Sequence, residues 1–113
     1  MQTVAIVDDH EILRAGLKSL LDAEQDIEVI GEADNGQDAI RIVSEFKPDV
    51  VIMDVAMPDM NGIEATRIIT ERHDQARVLA LSMHADRRFI SEMIDAGASG
   101  YLLKECAIDE LAF

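Results

Sequence analysis

The feature that most constrains this chain is an alternation between two hydrophobic periods. Val4-Ala5-Ile6-Val7, Val50-Val51-Ile52-Met53 and Val78-Leu79-Ala80-Leu81 are short apolar runs rich in β-branched residues. They are too short for helices and lack polar alternation, so they read as strands buried on both faces, as in a parallel sheet. Ile27 to Ala33 is broken by Glu28 and Glu32, which suits an edge strand. Gly100-Tyr101-Leu102-Leu103 reads as a fifth strand.

Helical periods lie between these runs. Ile12, Leu13, Leu17, Leu20 and Leu21 are expected on one face of a first helix. Ala39, Ile40, Val43 and Phe46 mark a second, stopped by Pro48. Asn61-Gly62 opens a third with Ile63, Ile68 and Ile69. Phe89, Ile90, Met93 and Ile94 form a fourth, closed by Gly97. A fifth begins near Ala107 and is cut off at Phe113. Five strands alternating with five helices imply right-handed βαβ units and a three-layer α/β/α domain. The expectation is a flavodoxin-like, doubly wound parallel sheet of order 2-1-3-4-5 with a truncated fifth helix. Periodicity alone does not determine that order.

Composition limits the functions open to such a domain. The 113 residues suit one compact unit, and at 49% hydrophobic they can fill a core. No run approaches the roughly 18 apolar residues of a membrane span, and the N-terminus lacks signal-peptide character, so a cytoplasmic protein without membrane contact is expected. The formal charge of −13 opposes polyanions, so direct nucleic-acid contact by this domain is not expected. The single cysteine, Cys106, has no partner in the chain for a disulfide or a thiolate metal site.

In an open parallel sheet, ligands bind beyond the carboxyl ends of the strands. The first strand ends in Asp8-Asp9, the third in Asp54 and the fourth in Ser82, while Lys104 follows the fifth. Singly, each has a plain explanation: an Asp after a strand caps a helix, Ser82 is a loop hydroxyl and Lys104 a surface charge. Together they make a different set. Three carboxylates in one pocket stay ionised beside a cation, and oxygen ligands favour a hard ion such as Mg²⁺. A carboxylate can accept a phosphoryl group, whose equatorial oxygens then need positive charge and hydrogen-bond donors. Lys104 and Ser82 can supply them.

These residues carry a resemblance to the receiver domains of two-component response regulators, over essentially the whole chain. The matching motifs are Asp8-Asp9, the run Asp54-Val55-Ala56-Met57-Pro58-Asp59-Met60-Asn61-Gly62, Ser82, Tyr101 and Lys104. Asp8-Asp9-His10-Glu11 with Leu13-Arg14-Ala15-Gly16-Leu17, and Gly97 to Lys104, are similar to the LuxR/NarL-type subfamily. The resemblance implies that Asp54 accepts phosphate from a sensor histidine kinase. It implies Mg²⁺, replaceable by Mn²⁺ or Ca²⁺, held by Asp9, Asp54 and the Ala56 carbonyl, with Asp8 acting through water. It implies that Lys104 and Ser82 bind the phosphoryl group and Tyr101 switches behind it. Ala56 and His84 stand where the family tunes dephosphorylation. The fourth helix, fifth strand and fifth helix would pass the signal to a downstream DNA-binding helix-turn-helix domain outside this chain. Chemistry would be limited to self-phosphorylation and self-dephosphorylation.

Two departures bear on this. Glu105 stands where many receivers carry proline, and a cis bond before a non-proline residue costs roughly 2.5–4 kcal/mol. A truncated fifth helix would leave packing surface exposed and suggests pairing with a second copy. His10 is expected at the start of the first helix rather than as a ligand, since imidazole suits Mg²⁺ poorly. His73 is expected to cap the end of the third helix or to be solvated. Met60 is expected to tuck the loop between Asp54 and Gly62 onto the sheet. Two other functions share parts of the set. A pseudo-receiver would dock without phosphorylation, but the full residue set argues against it. A Mg²⁺-dependent aspartyl-phosphate phosphatase of haloacid-dehalogenase type wants a second Asp where Ala56 stands.

Overall fold

The computed structural model describes residues 2–55, 57, 60–82 and 87–103. Nine elements alternate: β1 (Gln2–Val7), α1 (Glu11–Asp22), β2 (Ile27–Ala33), α2 (Gly36–Phe46), β3 (Val50–Asp54), α3 (Gly62–Arg72), β4 (Arg77–Ser82), α4 (Arg87–Asp95) and β5 (Gly100–Leu103). The strands form one parallel sheet of order β2-β1-β3-β4-β5, as expected. The fifth helix, the pairing surface attributed to it and the Lys104–Glu105 bond lie outside the described residues.

Strand alternation divides the core into two layers. Ala5, Val7, Val51, Met53, Val78 and Ala80 point to one face and pack with Ala39, Ile42 and Val43 of α2, Ala65 and Ile69 of α3 and Met93 of α4. Val4, Ile6, Ile52 and Leu81 point to the other and meet Leu17 and Leu21 of α1. Each central strand therefore feeds both layers, which is why its run carries no polar alternation.

Helix ends follow local chemistry. Asn35 and Asn61 cap α2 and α3, their side-chain oxygens accepting from the N–H of Asp38 at 2.8 Å and Glu64 at 2.9 Å. The chain leaves α2 at Lys47, in the left-handed region at φ 49°, one residue before Pro48. Gly97, at φ 112°, closes the turn after α4, with its N–H on the Ile94 carbonyl and the Ala98 N–H on that of Met93. His73 ends α3, and its ring lies 3.4 Å from Ser44 Oγ.

One expectation needs correcting. Ile12 is not on the buried face of α1 but 90% exposed. It precedes Leu21 by nine positions, about two and a half turns, which places it on the opposite side of the helix. Leu13, Leu17, Leu20 and Leu21 are partly or fully buried. No described helix is long and apolar enough to cross a membrane.

Candidate functional site

The sheet places the acidic residues before any side-chain contact is considered. β1 leads left to β2 and right to β3, so the crevice between β1 and β3 is the topological switch point. Val7 pairs with Met53, which sets Asp8 and Asp54, the next residues, side by side at the carboxyl ends. The Asp8 N–H donates to the Ala33 carbonyl at 3.0 Å, and the Val55 N–H to that of Leu81 at 2.9 Å. Backbone pairing thus reaches Asp8 and continues one residue past Asp54. Ser82 ends β4, the neighbour of β3 on its far side.

Asp8 and Asp54 are almost fully buried, at 0% and 1% exposure, and Ser82 is buried at 5%. Burying carboxylates is costly unless charge or hydrogen bonds compensate. Asp8, Asp9, His10 and Asp54 each bring one donor atom into a group whose members all lie within 4.8 Å of one another. Asp8 Oδ1 accepts the His10 backbone N–H at 2.7 Å and lies 3.0 Å from His10 Nδ1. Asp9 Oδ1 is 3.4 Å from the same nitrogen.

Two side chains beyond the expected set shape this pocket. His10 occupies the N-cap of α1, as foreseen, but makes no side-chain cap; its ring turns to the carboxylates instead. Arg14, one turn into α1, donates from its guanidinium to the Asp8 carbonyl at 2.6 Å. Arg14 Nε is held in turn by Glu32 of β2 at 3.3 Å, which also lies 3.6 Å from Lys18. The available sequence signal was the spacing of His10 and Arg14, which puts both at the sheet end of α1.

The loop after Asp54 is fastened by close backbone contact. The Gly62 N–H donates to the Val55 carbonyl at 2.8 Å. A Cβ on Gly62 would stand 1.9 Å from the Asp54 carbonyl oxygen, so only glycine fits where α3 meets the strand end. Met60 is partly buried and packs near Gly36, at the start of α2, and on the core layer beneath that helix. It therefore anchors the loop to a helix as well as to the sheet. Tyr101 is partly buried against the same layer. Ala56, His84 and Lys104, the remaining expected site residues, lie outside the described residues.

The donor set suits a small hard cation. Three carboxylates offer only oxygen, and their spread is close to the roughly 4.2 Å between opposite ligands of a Mg²⁺ ion. The acidic pocket therefore fits the divalent ion that receiver domains bind.

Comparisons with known proteins agree with this architecture. Residues 4–112 match the family described as response regulator receiver domain. The chain is 42% identical over 108 residues to the transcriptional regulatory protein DegU of Brevibacillus brevis, covering 96% of this chain and 46% of that protein. It is 42% identical over 112 residues to the transcriptional regulatory protein LiaR of Bacillus subtilis, covering 99% and 53%. A LuxR-family two-component response regulator from an Aurantimonas species superposes with a TM-score of 0.92 at 38% identity, over 98% of this chain and 79% of that one. The chain spans about half the length of the curated relatives it matches. The buried acidic cluster, the sheet order and these likenesses lead to one conclusion: the chain belongs to the response regulator receiver domain family.

Proposed function

We propose that this domain accepts a phosphoryl group on Asp54 from a phosphohistidine of a sensor histidine kinase and so controls a transcriptional output. The observation that carries this reading is Asp54 itself: a carboxylate buried at the switch point, gathered with Asp8 and Asp9. Asp9, Asp54 and the Ala56 carbonyl would hold Mg²⁺, with Asp8 acting through water; Mn²⁺ or Ca²⁺ can take its place. When bound, the ion supplies positive charge that offsets the carboxylates and the phosphoryl oxygens. An Asp54 oxygen forms the new bond to phosphorus as the donor's P–N bond breaks and the imidazole leaves with a proton. Lys104 pairs with the phosphoryl oxygens, and the Ser82 hydroxyl donates to them. Ala56 and His84 stand at the positions in the chain where the family tunes how long the phosphoryl group lasts.

The added dianion draws Ser82 and Tyr101 toward the site and shifts the surface of α4, β5 and the helix expected beyond them. That surface would act on a DNA-binding domain downstream, in keeping with relatives about twice this length that are transcriptional regulators. The chemistry stays within the protein, so no metabolite is turned over, and the setting is the cytoplasm. Incubation with acetyl phosphate and Mg²⁺, followed by intact mass and oligomeric state, tests the reading. Wild type should gain one phosphoryl group and Asp54→Ala none. Absence of the gain in wild type would favour a docking module, and multiple turnover of a generic phosphate ester would favour a phosphatase.

A further inference from the structure

We propose that a cleft at the amino edge of the sheet binds a free α-amino acid, with its carboxylate on Arg77 and its ammonium on Asp49. β1, β3 and β4 are neighbours, and Gln2, Val50 and Arg77 stand at their amino ends. Asp49 precedes β3, and Gln75 lies in the turn before β4. These five residues line a cleft of about 330 Å³. The five-residue length of β3, roughly 16 Å, separates it from Asp54, so the site is distinct from the acidic pocket.

The backbone joins the strand starts beneath the cleft. The Asp49 N–H donates to the Thr3 carbonyl at 2.9 Å, and the Arg77 N–H to the Asp49 carbonyl at 3.0 Å. The Asp49 carboxylate is oriented through one oxygen only. Its Oδ2 accepts the Thr3 N–H at 3.0 Å and the Thr3 hydroxyl at 3.2 Å. These bonds hold the carboxyl below its usual range, so it is ionised at neutral pH. Oδ1 is left without a partner among the described residues. The Arg77 guanidinium makes no ion pair among them either, with Asp49 or any other carboxylate. One cleft therefore presents an exposed anion and an exposed cation that do not neutralise each other.

Size and charge then select the occupant. The volume is near the lower end of small-molecule sites, roughly 300–1,000 Å³, which suits an amino acid better than a nucleotide. Val50 is the one apolar residue of the lining, so a largely apolar ligand gains little. A simple anion would be repelled by Asp49 and a simple cation by Arg77, whereas a zwitterion meets each with the opposite charge. The guanidinium can donate two parallel N–H bonds to the ligand carboxylate, and Asp49 Oδ1 can accept from its ammonium. The side-chain amides of Gln2 and Gln75 offer donors and acceptors to a polar side chain on the ligand.

The test is a ¹H–¹⁵N NMR titration of wild type, Arg77→Gln and Asp49→Asn with glycine, L-serine and L-glutamine. Each ligand is also used as its N-acetyl form, which lacks the ammonium, and as its α-carboxamide, which lacks the carboxylate. At least one amino acid should shift the Gln2, Asp49, Gln75 and Arg77 amide signals saturably, with a Kd of about 1 mM or tighter, while the Asp8 and Asp54 signals stay. Its two derivatives should bind wild type at least about tenfold more weakly, and both variants should bind it more weakly by the same factor. Arg77→Gln alters an exposed side chain, so its spectrum away from the cleft should match wild type, and it decides the question even if Asp49→Asn unfolds. The proposal is overturned if none of the three amino acids gives a saturable shift. It is equally overturned if either derivative binds as tightly as its parent, or if Arg77→Gln binds like wild type.

Discussion

Gly62→Ala is a severe test of how the site is held. The added Cβ would lie 1.9 Å from the Asp54 carbonyl oxygen, 2.8 Å from its carbon and 3.0 Å from Val55 Cα. All three are backbone atoms of the strand end, so no side chain can rotate away. A Cβ essentially never lies within 3.0 Å of such an atom, so the helix start or the strand end must move by more than 1 Å. That displacement breaks the 2.8 Å bond from Gly62 N–H to the Val55 carbonyl and disturbs the Asn61 cap on Glu64. A lost buried hydrogen bond, a weakened cap and overpacking together amount to about 3–5 kcal/mol. Against a typical total of about 5–15 kcal/mol this is a large fraction. Urea unfolding followed by circular dichroism should show a much lower midpoint with an unchanged slope. Gly100→Ala is the control, because its Cβ would meet only the far end of the Leu79 side chain at 2.8 Å, and its cost should stay below about 1 kcal/mol. If Gly62→Ala unfolds within about 1 kcal/mol of wild type, helix and strand do not approach as described.

Three further outcomes are expected. The Asp49 carboxyl is held below its ordinary range by the Thr3 N–H and then the Thr3 hydroxyl, both on Oδ2. Its folded value lies below its unfolded one, so its contribution is present above about pH 4 and is lost as pH falls further. The midpoint difference between wild type and Asp49→Asn should shrink between pH 7 and pH 3, and a constant difference would contradict this. Thr70→Val removes the hydroxyl that donates to the Ala96 carbonyl at 2.6 Å; it should cost about 1–2 kcal/mol and speed hydrogen exchange at Gly97 and Ala98. Arg14→Ala frees the Asp8 carbonyl from its 2.6 Å guanidinium contact and should weaken Mg²⁺ binding by about tenfold in calorimetry; unaltered affinity would show that Asp8 needs no such support.

Much of the site was legible because its residues sit at strand ends. Asp8, Asp54 and Ser82 each follow or finish a short apolar run, and any parallel sheet collects such positions at one edge. The neighbours that orient them were harder to read. Ile12 was grouped with the apolar residues of α1, yet one position of phase separates Leu13, which packs, from Ile12, which faces solvent. His10 was legible as the start of a helix, but the turn of its ring onto Asp8 and Asp9 depends on a rotamer and on the angle at which α1 enters. Arg14 carried no motif that marked it as a support for the Asp8 carbonyl.

The sequence by itself determined the alternation of elements, the opening of α3 at Asn61-Gly62, the break at Gly97 and the chemical types available at each strand end. These are local properties, encoded in periods of two and 3.6 residues and in the conformational preferences of single residues. Only the tertiary structure decided the sheet order, the distances among Asp8, Asp9, His10 and Asp54, and the contact that makes Gly62 indispensable. Parallel crossovers join strands that lie dozens of residues apart, so contacts across the carboxyl edge arise from packing that no local pattern contains.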